Sequence, residues 1–468
     1  MSDSTAAPLL PHATATLAAF AAGLRYEQLP AAVVARMKTS LLDSIGCCLY
    51  GMTLPWTQRV QAMVEAEEAR PVAALFGTGR RASVAGAALV NGTAGHAFEL
   101  DDIHKESIVH AGSIALPVVA ALAEAGGARC DGRRLLAALA CGYEIGTRVG
   151  NAATMALFFR GFHPQGTSGV FVAAASAGWM LGLDAQQMQH ALGIVGSQAG
   201  GLMAAQEGAM VKRLHAGRAA QSGVYAAQLA QRGFTGITDV LEAPYGGYLS
   251  SYSDKPNAAR LTAGLGEDWE AAKVGYKPHA SVTSIHAAMD ALRQLMDTHG
   301  LTAADIAAVD VAVSHMTYVH CAWEYRAQGV TAAQMNLFYG LAVIALDGVA
   351  FVAQYREDRL ADPAILDFIA RTTAREDAEI DAMGPAFRHA ARVELRTHDG
   401  RRLRHEILHR RGSPENPLSA AEVERKFRNV VAGCLSPADI DRTVELVDRL
   451  DQADDATPLL ALLAAPRP

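Results

Sequence analysis

His96, Glu99, Asp101, Asp102, His104, Lys105, Glu106 and His110 crowd one polar run, NGTAGHAFELDDIHKESIVHAGSIALP, between Asn91 and Pro117. Alanine-rich apolar sequence lies on both sides. The run cannot be ordinary core, because each unpaired buried charge costs several kcal/mol. Three imidazoles and five charged groups, closing on the small-residue turn Ala111-Gly112-Ser113, also exceed what a solvated loop requires. Imidazoles exchange protons near neutral pH, and ammonium and guanidinium groups neutralise anions, so the chemistry these types allow is acid–base work on a charged small molecule.

Further segments share this character. GFHPQGTSG places His163 before Pro164, and the small residues after it let an anion approach the backbone. MVKRLHAGRAAQSG places Lys212 and Arg213 ahead of an apolar helix, where cations oppose the helix dipole and so need another purpose, such as holding a carboxylate. GYKPHA combines Lys277, Pro278 and His279, and HMTYVH supplies Tyr318, a donor or acid able to reach the same place. The first three segments read as glycine-bearing loops that converge on one pocket. His96 and His104 flank Asp101 and Asp102, but no HExxH-type spacing occurs, so no metal is expected. With no GxGxxG after a strand, no Walker lysine and no GxSxG elbow, no cofactor is expected either.

The elements that must position these residues are mostly helical. Half of the 468 residues are hydrophobic, 19% are charged and 6% are aromatic, which favours closely packed helices over a β-sandwich. The length exceeds one ordinary core and points to two domains. A net charge of −7 argues against nucleic acid as a partner. Six cysteines without CxxC spacing read as buried free thiols in a reducing cytoplasm, and the start MSDSTAAPLLPHATA lacks the regions of a signal peptide. The longest apolar window, Leu337 to Tyr355, is broken by Asp347 and Gly348 and reads as a buried helix, so no membrane partner is expected.

Helical spacing predicts two helices over 13–51, one over 85–97, two over 114–151 split by Gly126-Gly127, a pair over 170–200, and one over 218–233. The texture changes near residue 270. Strands are predicted over 307–313 and 391–398, the second turning through Asp399-Gly400 into RLRHEILH. Between them lie a buried helix over 333–346 and a charged helix over 363–375. Ser419 with Glu422, and Ser436-Pro437 with Asp439, mark two late helix starts.

The order and spacing of LLDSIGCCLYG, NGTAGHAFELDDIH, GFHPQGTSG, MVKRLHAGRAAQSGVYAAQLAQRGFTG, GYKPH, AAQMNLFYGLAVIALDG and ENPLSAAEVERKF resemble the MmgE/PrpD family over most of the chain. That family includes 2-methylcitrate dehydratases, cis-aconitate decarboxylase and iminodisuccinate epimerase. The resemblance implies a mostly α protein: a large all-helical domain from both chain ends (1–270 and 412–468) and a smaller inserted α+β lid (271–411). It also implies a homodimer. Carried over motif by motif, it puts active-site histidines at His110 and His163, a pocket lysine at Lys212, and a lid lysine and tyrosine at Lys277 and Tyr318. The acidic motif falls on Glu99 to Asp102, with His104 and Arg213 beside it on the substrate side. This chain departs from the family pattern in three places. It has His110-Ala-Gly-Ser where many members have His-Pro-Ser, Ile103 where a polar residue is common, and Val282 where the decarboxylase has a lid histidine. His279 is the nearby substitute.

The shared chemistry loosens a proton or a carboxylate beside another carboxylate, giving an enolate-like carbanion that cations must stabilise. Lys212, Lys277 and Arg213 are the expected cations, and His110 and His163 the expected acid–base pair. The expected activity is a cofactor-free lyase on a small di- or tricarboxylate, with dehydration placed first. Epimerisation and decarboxylation are the alternatives within that chemistry. A non-catalytic helical scaffold is the alternative of another class, and the concentration of polar residues in a few loops speaks against it.

Overall fold

The computed structural model describes residues 10–67, 69–126 and 130–467. Gly127 of the Gly126-Gly127 break and the first nine residues of the N-terminal stretch lie outside the described residues. The fold is mostly α, with a helical body built from both chain ends and a smaller α+β part between them. Long helices run over Ala31–Gly51, Val84–Gly95, Gly112–Ala125, Gly132–Phe159, Gly169–Met180 and Val211–Gln231. The late helix Ala420–Val431 returns to pack on Ala31–Gly51, where Gly46 would place a Cβ 3.1 Å from the Phe427 ring.

Small residues let the central helices approach closely. Gly217 lies so near the Val84–Gly95 helix that a Cβ there would sit 2.2 Å from the Leu89 carbonyl oxygen and the Thr93 hydroxyl. Glycine is therefore needed at Gly217 for a helix crossing, and the segment around it is not a loop. The Val211–Gln231 helix begins seven residues before the predicted start at 218, which puts Lys212 and Arg213 in its first turn.

The α+β part contains a four-stranded sheet in the order Thr372–Glu376, Ile306–Val313, Ala391–Thr397, Arg402–Ile407. Thr372–Glu376 pairs parallel with Ile306–Val313, and the other pairs are antiparallel. That edge strand lies in what reads from sequence as the end of a charged helix; the helix stops at Ala370. The buried helix expected over 333–346 is two helices, Val330–Met335 and Leu337–Asp347. Asn336 at the break accepts a hydrogen bond from the Tyr339 amide and so starts the second helix. Ser419 with Glu422 forms the expected capping box, and Ser436 caps the helix that starts at Pro437.

All six cysteines are buried and free. Among the described residues, no helix is long and apolar enough to cross a membrane.

Candidate active site

One short strand pair and one side-chain latch bring the distant segments together. Ile103–His104 pairs antiparallel with Val274–Gly275, which delivers Lys277 to the end of the polar run. Gln165 is the latch: its Oε1 accepts from the His110 amide at 2.9 Å, and its Nε2 donates to the His110 carbonyl at 3.0 Å and to Ser113 Oγ at 2.8 Å. The segments of His110 and His163 are thereby bound to each other. Gln334 does the same across the α+β part, donating to the carbonyls of Phe98 at 3.1 Å and Ala280 at 3.0 Å.

The result is a cavity lined by His110, His163, Lys212, Lys277 and Glu99, together with Lys105, Arg388, His320 and His389. Ile103, Ile108, Phe158, Met203, Met316 and Met335 supply its apolar lining. Four cations therefore face the cavity against a single carboxylate.

That carboxylate, Glu99, is an ion-pair hub. Its Oε1 accepts from Lys212 Nζ and from Arg213 Nη1, the latter at 2.7 Å, and its Oε2 accepts from Lys277 Nζ at 3.0 Å. Glu99 has a positive φ of 48°, uncommon for a residue with a side chain. Burial would raise its pKa, but Lys212, Lys277 and Arg213 override burial and hold the carboxyl well below the usual range. Burial brings Lys212 down to about 8, although Glu99 pulls the other way.

The imidazoles form a second network. His96 Nδ1 lies 2.7 Å from Asp101 Oδ2, and His110 Nδ1 lies 3.2 Å from Asp101 Oδ1. Burial alone would raise Asp101, but the imidazoles of His110 and His96 keep it well below the ordinary carboxylate range. The donor atoms of His96, Asp101 and His110 lie within 4.8 Å of one another. Asp101 Oδ2 holds His96 through a hydrogen bond, while Oδ1 faces His110 Nδ1 without one. His163 Nδ1 and His215 Nδ1 are 2.8 Å apart, and burial, followed by His96 and Lys212, holds His163 well below its ordinary value and therefore neutral.

Asp102 stands behind this layer, accepting from the Gly112 amide at 3.1 Å and the Tyr143 hydroxyl at 2.6 Å. Burial, reinforced by Asp43, pushes it up to about 8. It thus takes up the first amide of the Gly112–Ala125 helix.

Several expected site residues stand elsewhere. His104 does not line the cavity: its two ring nitrogens are taken by Ser107 Oγ and Glu270 Oε2, each at 3.0 Å. His279 is turned to Asp290, 2.8 Å away, and is not part of the cavity lining, whereas Val282 is. Tyr318 sits in the His315–Cys321 helix, on which Met316 and His320 share the cavity face at i and i+4 spacing. Two residues from either, Tyr318 is carried to another side of the helix. Arg213, Asp101 and Asp102 support the lining from behind. Conversely, sequence reading did not single out Arg388, His389 or His320, and passed over Gln165, whose only signal was its place beside His163.

The MmgE/PrpD N-terminal domain matches residues 15–260 and the MmgE/PrpD C-terminal domain matches residues 279–452. The chain belongs to the MmgE/PrpD family. Its relatives within reach of sequence comparison include the cis-aconitate decarboxylase-like protein oryM of Aspergillus oryzae, 32% identical and aligned over 96% of this chain and 97% of that protein. A cis-aconitate decarboxylase of Aspergillus terreus is 31% identical over 97% of this chain and 96% of its own. The human cis-aconitate decarboxylase is 27% identical over 95% and 93%. As an MmgE/PrpD protein, the chain carries the cavity where its two matched domains meet: Glu99, His110, His163 and Lys212 come from the first, and Val282, His320 and Arg388 from the second.

Proposed function

We propose that this MmgE/PrpD protein is a cofactor-independent carboxy-lyase acting on a small unsaturated tricarboxylate of the cis-aconitate type. The carrying observation is the cavity lining, with four cations against one carboxylate, two acid–base imidazoles, and an apolar remainder. The cationic surplus suits a polyanion. The methionine, isoleucine and phenylalanine side chains suit the departure of a carboxylate as neutral carbon dioxide, which apolar surroundings favour over the charged ground state. Full-length similarity to cis-aconitate decarboxylases supports decarboxylation over the dehydration placed first among the family's reactions.

In this reading Lys212 and Lys277, held in place by Glu99, bind the carboxylates that remain. The bond to the departing carboxylate breaks and its electron pair forms a new carbon–carbon double bond. The original double bond moves its pair toward a retained carboxylate, where Lys212 or Lys277 stabilises the enolate-like charge. A proton then returns to the distal carbon, leaving carbon dioxide and an unsaturated dicarboxylate. With Asp101 Oδ1 facing its Nδ1 at 3.2 Å, His110 in its imidazolium form gives up the proton of its other ring nitrogen and is left neutral, and neutral His163 orients the ligand and accepts hydrogen bonds. The lid of this reading is 271–411 over a body of 1–270 and 412–468. The reading includes a cytoplasmic location, which six free buried thiols suit, and a homodimer.

The test is NMR in deuterated water with a panel of hydroxy, amino and unsaturated polycarboxylates. Loss of carbon dioxide from cis-aconitate with one deuterium incorporated supports the reading; water elimination from a hydroxy acid without decarboxylation overturns it in favour of a dehydratase. His110→Ala should lower turnover by roughly 10²–10⁴-fold. Full activity in both His110→Ala and His163→Ala would refute the site.

A further inference from the structure

The cations around Glu99 account for one side of the ligand. Arg388 and His389 are adjacent residues between the Pro385–Phe387 turn and the Ala391–Thr397 strand, and both line the same cavity while only 6% exposed. We propose that Arg388 and His389 form a second carboxylate-binding wall, which takes the additional acid group that distinguishes a tricarboxylate from a dicarboxylate. This rests on the polycarboxylate reading of the cavity and deepens it.

The wall is built rigidly. The Arg388 carbonyl accepts from Ser314 Oγ at 2.6 Å and from Thr317 Oγ1 at 3.1 Å, so its backbone is pinned to the start of the His315–Cys321 helix. Its guanidinium is also set: Nη1 donates to the Pro385 carbonyl at 3.1 Å and to Glu106 Oε1 at 3.4 Å, and Nη2 donates to the Lys105 carbonyl. Arg388 Nε and His389 Nδ1 are buried and have no partner among the described residues. A buried polar atom left unpaired is destabilising, and a ligand carboxylate accepting from these two groups would offset that.

The charges point the same way. Lys105 donates to Glu415 Oε1 and to the Ala386 carbonyl, each at 2.7 Å. The counter-ions Glu415 and Glu106 are about one-third exposed and so water-screened, while Lys105 and Arg388 are nearly buried. Positive potential therefore persists on the cavity side. Burial, then Arg388 and Arg410, hold His389 well below its ordinary value, so it meets an anion as a neutral hydrogen-bond donor.

The experiment compares tricarballylate with glutarate, which has the same chain without the central carboxylate, by isothermal titration calorimetry on the full-length protein. Wild-type protein should bind tricarballylate more tightly. Arg388→Gln and His389→Leu should each weaken tricarballylate by about ten- to a hundred-fold, the worth of a charge-assisted hydrogen bond, and leave glutarate within about threefold. His389→Asn, which keeps a donor near the Nδ1 position, should restore part of the preference. If Arg388→Gln does not fold, Arg388→Lys keeps the charge, removes the fork and should show the same selective loss. An unchanged ratio, or equal loss of both acids, overturns the second wall while the polycarboxylate site stands. Wild-type protein that binds neither acid overturns the cavity reading itself.

Discussion

Replacing Glu99 with glutamine tests the hub on which the cavity depends. The substitution keeps the side chain's shape and removes the only negative charge shared by Lys212, Arg213 and Lys277, all at least 95% buried. Removing one partner of a buried ion pair typically costs about 3–5 kcal/mol. At about 2.1 cal/mol/K per residue, a cooperative unfolding of this chain has an entropy near 1 kcal/mol/K, so Glu99→Gln should lower Tm by about 3–5 °C. The loss should be larger at pH 6 than at pH 9. Lys212 titrates near 8 even with Glu99 beside it, so above that value it sheds its proton and the strain with it. A bound polyanion should repair the defect. Tricarballylate at about a hundred times its Kd contributes about 2.7 kcal/mol to either protein, and a lower Kd in the variant would enlarge its Tm gain at any fixed concentration. Differential scanning calorimetry at both pH values, with and without ligand, gives all four numbers. An unchanged Tm at pH 6, together with an unchanged ligand response, would refute the argument that Glu99 holds the cations for a ligand.

Two further outcomes follow from single contacts. Because burial lowers Lys212 to about 8, its charge is present below that pH and lost above it, so tricarballylate affinity should fall steadily above pH 8; affinity flat to pH 9.5 by calorimetry would remove Lys212 from ligand binding. Gly112→Ala would put a Cβ 2.0 Å from Ser44 Oγ and 2.6 Å from Tyr143 Oη, so overpacking of about 1–3 kcal/mol should lower Tm, while Gly23→Ala, with nothing within 4 Å, should not.

What sequence reveals here divides along a physical line. Amphipathic spacing and caps are local, so the Ala31–Gly51 helix, the Asp399-Gly400 turn and the Ser419 capping box could be read directly. The Thr372–Glu376 strand could not, because it is a half-exposed edge without apolar alternation, and its partner lies some sixty residues earlier. Gly217 misled because a glycine that opens a turn and a glycine that admits a neighbouring helix look alike until the neighbour is known.

The site divides in the same way. His110, His163, Lys212, Lys277 and Glu99 stood out by type and setting, and the fold brings them to one cavity. Whether a polar residue faces that cavity or braces what does is a matter of one rotation of a helix or strand. Tyr318 and His320 are two positions apart on one short helix, and only His320 reaches the lining. Charge balance carries the argument further than motif does. Asp101 and Glu99 are each placed among groups that hold them ionised, one among imidazoles and one among cations, and in the proposed reading the first set moves the proton while the second holds the anion. The Glu99 hub keeps Lys212 and Lys277 committed to a carboxylate, leaving Asp101 to the histidines.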